Sequence, residues 1–216
     1  MASKLKEFTV STARPLPLIL LLDTSGSMLG TKIDSLNYAV NEMISSLCEE
    51  DDVRAEIHFS IITFGGSAQI VQDLAPISKV HFKDLLANGN TPMGAAFSIA
   101  QNLIEDKSII SSRAYTPTVI LVSDGQPNDE WETPLKSLLS SDRAKKAMRL
   151  AMGIGDDADE QMLQIFSEQK VFRAQDGRDI KKFFKFVTMS VSSRTRSQNP
   201  ETMIIPDMDD IDNIKF

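Results

Sequence analysis

The chain has 216 residues, 42% of them hydrophobic and 25% charged, ordinary fractions for a globular protein with one large domain and a substantial core. A formal net charge of −7 argues against nucleic acid and anionic membrane surfaces as partners. One cysteine, Cys48, leaves no internal disulfide to form, which fits a reducing compartment and makes the cytoplasm the default location.

The first dozen residues are polar and lack clear periodicity, so residues 1–14 read as a loose N-terminal arm, or at most an edge strand. From Pro15 to Leu22 the chain is almost purely aliphatic, then ends abruptly in Asp23, with Ser25 and Ser27 following at alternate positions. The run is too short to span a bilayer, and it enters an aspartate rather than a small-residue cleavage site. It suits a strand buried on both faces in the middle of a parallel sheet. Ligands of such sheets bind outside the carboxyl ends of the strands, which is where Asp23 is expected.

Ile33, Leu36, Val40, Met43, Ile44 and Leu47 then recur at helical spacing, and the acidic cluster Glu49-Glu50-Asp51-Asp52 closes that helix. From Val53 to Phe64 the period changes to two, with Ile57, Phe59 and Ile61 on one side of a strand. Gly65-Gly66 breaks it, and Ala68 to Leu74 follows closely enough to be an antiparallel hairpin partner. Val80 to Leu86 reads as a short amphipathic segment. Asn90-Thr91-Pro92 opens a helix, with Pro92 suited to its first position and Met93, Ala96, Phe97, Ala100, Leu103 and Ile104 as its buried face.

A second apolar strand, Pro117 to Ser123, ends in Asp124-Gly125. A loop containing Trp131, a helix over about 134–146, a strand over 148–154, a short helix over 159–167, a brief strand over 170–174 and a last helix from Arg178 to about Arg194 complete the pattern. Strands and helices alternate throughout, which predicts an α/β fold with crossover helices on both faces of the sheet. Residues 197–216 mix acidic and apolar side chains without a fold-forming period, so a boundary is placed near residue 196. In that tail, Met203-Ile204-Ile205 either belongs to a disordered terminus or docks on the domain or a partner.

Asp23, Ser25, Ser27, Thr91 and Asp124 fall where a parallel sheet brings its strand ends together. Each has an ordinary alternative: the aspartates as turn formers, Ser27 and Thr91 as helix caps. Asp23, Ser25 and Ser27, one carboxylate and two hydroxyls, already make an oxygen-only site, which suits a hard divalent cation. Mg²⁺ is the first choice and Mn²⁺ the second; Ca²⁺, which wants more oxygens, is the least suited.

An apolar strand followed by Asp-x-Ser-x-Ser resembles the metal-ion-dependent adhesion site of von Willebrand factor A (VWA) domains, whose pattern implies a further Thr and Asp from later loops, here Thr91 and Asp124. The resemblance covers roughly Pro15 to Arg194, within a domain placed at 15–196. It implies a three-layer, Rossmann-like fold, mostly parallel with one antiparallel edge strand. It also implies non-catalytic protein binding, in which an acidic side chain of a partner replaces a water on the metal. Leu-Leu-Leu-Asp-Thr-Ser-Gly-Ser-Met, with Ile-Ile-Thr-Phe at 61–64, is most similar to bacterial TerY-type proteins. Those are associated with tellurium resistance, stress response or phage defence, and with protein kinase and phosphatase partners.

Two other classes compete. In Mg²⁺-dependent phosphohydrolases of the haloacid-dehalogenase type, the nucleophilic Asp is followed two residues later by an acid/base Asp; that position here is Ser25. The other alternative is a structural subunit with a vestigial metal site. His58 and His81 stand in no nucleophile–base pair, and Cys48 beside its acidic neighbours is not a reactive thiolate. Trp131 reads equally as a core anchor or as a rim residue near the metal.

Overall fold

The aliphatic run forms strand β1 (Arg14–Asp23), buried at every position from Leu16 onward. The computed structural model describes residues 13–50, 54–167 and 171–201. After β1 come α1 (Thr31–Cys48), β2 (Ala55–Gly65), β3 (Ser67–Pro76), α2 (Met93–Glu105), β4 (Thr118–Ser123), α3 (Glu132–Ser140), β5 (Met148–Ile154), α4 (Glu160–Ser167), β6 (Phe172–Ala174) and α5 (Gly177–Arg196). Among the described residues these strands make one sheet in the order β3-β2-β1-β4-β5-β6. All neighbours pair in parallel except β2 and β3, which form the antiparallel hairpin. The expected three-layer α/β architecture is the observed one.

Alternation along the strands divides the core in two. Leu16, Leu18, Leu20 and Leu22 of β1 point to one face, where α1 and α5 cover them with Leu36, Val40, Phe183 and Val187. Ile19 and Leu21 point to the other, under α2, α3 and α4. Because β1 is central and apolar on both faces, its end is pinned from two sides. Asp23 is thereby presented at a fixed point of the sheet edge.

The amphipathic segment 80–86 is irregular chain that follows a single turn at Ile77–Lys79. That chain is docked by Asn37 of α1, whose side chain donates to Leu85 O (3.0 Å) and accepts from Leu85 N–H (2.8 Å). Leu85 is buried and Val80 and Phe82 pack on the core, so the apolar residues there dock this segment on the domain. The helix expected over 134–146 stops at Ser140, and a separate turn, Ala144–Lys146, follows. The strand expected from Lys170 begins at Phe172, and Lys170 itself lies outside the described residues. So do most of the N-terminal arm, Asp51-Asp52, and Met203-Ile204-Ile205 of the tail.

At the opposite end of the sheet, Arg194 is fully buried on α5. It donates to Pro200 O (2.8 Å), Thr118 Oγ1 (2.5 Å) and Thr116 O (2.9 Å), tying the last helix to the start of β4.

Candidate metal centre

The loop after β1 is shaped by backbone hydrogen bonds before any side chain enters. Thr24 N–H donates to Phe64 O (3.3 Å) at the end of β2, and Gly26 N–H donates to Gly89 O (2.9 Å). Asn88 N–H donates back to Thr24 O (2.7 Å). The 88–91 segment is thus laced along the Asp23 loop. The close approach requires glycine at position 89: its φ is +68°, and a Cβ there would lie 2.5 Å from Gly66 Cα.

On this frame four of the five expected residues share one hydrogen-bond network. Asp23 is fully buried; its Oδ1 accepts from Ser25 N–H (2.8 Å) and its Oδ2 from Ser123 Oγ (2.6 Å). Ser25 Oγ and Ser27 Oγ are 3.0 Å apart, and Ser27 Oγ donates to Asp124 Oδ1 (2.7 Å). Ser27 lies in a single turn, Gly26–Met28, and α1 starts later with Gly30 at its cap position. Ser27 is therefore not the cap of that helix.

Thr91 is tied by its backbone to the loop after Asp124, outside that network. Its carbonyl accepts from Met93 N–H (2.9 Å) and from Asn128 N–H (3.2 Å) of the loop after Asp124. Nor is Thr91 the cap of α2. Pro92, expected as the first helical residue, stands one position outside it. The capping group comes from another loop: Asp129 accepts from Gly94 N–H and Ala95 N–H, each at 3.0 Å. Position 94 has no room for a side chain, since a Cβ would lie 2.1 Å from Glu130 O. Trp131, next in that loop, is half-buried against the α2–α3 core, so it anchors the loop.

Burial is the main electrostatic influence on Asp23 and raises its pKa. The Ser123 and Ser25 hydrogen bonds oppose the rise, and the charge of Asp124 adds to it. Asp124 has a cationic partner: Lys32 Nζ of α1 donates to its Oδ2 at 2.5 Å. Lys32, Ser123 and Asp129 are the residues that motif reading missed. For Lys32 the available signal was a cation in the first turn of a helix, where the dipole disfavours it.

The donor set is two carboxylates and two hydroxyls, all oxygen, at the carboxyl edge of adjacent parallel strands. It fits a hard divalent cation that keeps some of its water. Among the described residues no group of three or more His, Cys, Asp or Glu side chains could hold a metal, so hydroxyls and water are needed to complete a shell.

A profile of the von Willebrand factor type A domain matches residues 18–186. The chain belongs to this family. Human inter-alpha-trypsin inhibitor heavy chain H6 is 27% identical over 165 residues, which are 69% of this chain and 12% of the heavy chain. This chain thus spans only a small part of that relative. Among solved structures, a von Willebrand factor type A protein from Catenulispora acidiphila superposes with a TM-score of 0.64 at 20% identity. The match covers 82% of this chain and 42% of that one. Proximal thread matrix protein 1 from the mussel byssus, with zinc in its MIDAS motif, gives a TM-score of 0.62 at 16% identity, covering 82% and 48%. These likenesses show the VWA fold. No helix among the described residues is long and apolar enough to cross a membrane.

Proposed function

We propose that this VWA domain is a non-catalytic, metal-dependent protein-binding module. Asp23, Ser25, Ser27, Thr91 and Asp124 hold Mg²⁺, some of them through water, and a partner protein supplies an acidic side chain. The observation that carries this reading is the Ser25–Ser27–Asp124 relay, in which Ser27 and Asp124, 97 residues apart, join the loops after two strands at one edge of the sheet. Bound there, the cation supplies an open coordination position to a carboxylate. The hydroxyls position without adding charge, so two carboxylates at most neutralise a divalent ion and leave it attractive to an anionic partner. Mn²⁺ is the alternative ion. Ser25, with its hydroxyl committed to Ser27, stands where a phosphohydrolase needs a second acid, and this favours binding over hydrolysis.

The motif Leu-Leu-Leu-Asp-Thr-Ser-Gly-Ser-Met further supports a TerY-type setting: a bacterial, cytoplasmic stress-response or tellurium-resistance system with a protein kinase or phosphatase as partner. Calorimetric titration with Mg²⁺ tests the metal, and pull-down with Mg²⁺ or EDTA tests the partner. Saturable Mg²⁺ binding that disappears in a folded Asp23→Ala protein is expected, together with capture that needs both metal and Asp23. A partner retained in EDTA and by Asp23→Ala would point to the vestigial-site alternative.

A further inference from the structure

Lys32 is the second residue of α1, where backbone N–H groups and the positive end of the helix dipole disfavour a cation. Its ammonium is nevertheless directed at Asp124, and the two differ sharply in exposure: the lysine side chain is 35% exposed, the aspartate 0%. Ser27 already occupies Asp124 Oδ1, so Lys32 takes the remaining oxygen. Asp23, close enough to repel Asp124, has its two oxygens held by the neutral donors Ser25 and Ser123. Among the described residues, Lys32 is the one cation paired with either carboxylate.

An ammonium group and a divalent cation compete for the same carboxylate oxygen. We propose that Lys32 is a resident counter-ion that holds Asp124 Oδ2 in the metal-free domain and releases it when a divalent cation binds, thereby setting the site's metal affinity. The inference rests on the metal reading given above. Partial exposure provides the exit: the long stem can swing its charged head into water while its methylenes stay packed. Without Lys32, the metal-free domain would keep a buried carboxylate with no cationic partner, which is destabilising. A divalent cation would restore the balance.

The test uses the full chain as wild type, Lys32→Met, which keeps the stem, and Lys32→Arg, which keeps the charge. Each is titrated calorimetrically with MgCl₂ and MnCl₂ at fixed ionic strength, and melted in EDTA and in saturating Mg²⁺. Mg²⁺ should bind Lys32→Met about tenfold more tightly than wild type, the order expected for removing one like charge beside the ion. Lys32→Arg should stay close to wild type. In EDTA, Lys32→Met should melt below wild type, and saturating Mg²⁺ should close that gap. If Lys32→Met does not fold, Lys32→Gln, a neutral donor to the same oxygen, carries the comparison. Equal or weaker Mg²⁺ binding in the neutral variant would overturn the proposal while leaving the metal site standing. No divalent binding by wild type would overturn both.

Discussion

Asp23 combines two properties that oppose each other in an ordinary core position: full burial and negative charge. Its raised pKa, caused first by burial, means that the deprotonated side chain is held at a cost to the fold. Asn has the same shape, and its amide can replace the Ser123 contact with the donor reversed. Asp23→Asn should therefore raise the melting temperature in EDTA and abolish any rise on adding Mg²⁺. A lower melting temperature in EDTA would show that the carboxylate's hydrogen bonds outweigh its burial. Neighbouring hydroxyls are less demanding: Ser25 and Ser27 satisfy each other and Asp124 within the same relay.

The helix that follows Thr91 shows why some of the site was legible and some was not. Met93, Ala96, Phe97, Ala100, Leu103 and Ile104 are all buried, as their spacing predicts, because a helix facing a sheet must repeat every three to four residues. The same holds for the stripe on α1 from Ile33 to Leu47. What holds the start of α2 is Asp129, 35 residues beyond Gly94, and no local period encodes such a contact. Lys32 to Asp124 and Ser123 to Asp23 escape for the same reason, as side-chain bonds across the sheet edge. The strand-end motifs were readable because a buried strand, a polar stop and a glycine turn lie consecutively. Asp129→Ala should cost ~1 kcal/mol in urea denaturation, as for loss of a helix cap. A change within experimental error would mean that water replaces the carboxylate at both amides.

The two ends of the sheet place opposite demands on acid stability. Burial acts to raise Glu105, but hydrogen bonds from the Ala144 and Arg143 amides and from Ser141, with the charge of Arg143, bring it below its ordinary value. Glu201 is likewise raised by burial, but brought lower by Thr116, Arg14 and Arg194. A carboxylate with a lowered folded pKa contributes stability above its unfolded value of 4.5, lost as pH falls through the folded one. Asp23, whose folded pKa is raised, acts in the opposite sense: its contribution is lost as pH rises above 3.8. Urea midpoints in EDTA should fall as pH drops below about 4.5, with the lowered glutamates dominating. A midpoint that rises on acidification would give the larger role to Asp23. The position of β1 also bears on how the chain is made. Its neighbour β2 is close in sequence, but Ser123 at the end of its other neighbour, β4, is 100 residues from Asp23. A nascent chain stopped before Ser123 carries Asp23, Ser25, Ser27 and Thr91 but nothing to close the clasp. The seam between the early and late halves of the domain runs through the site, so a divalent ion bound there would recognise only a domain whose two halves have already met.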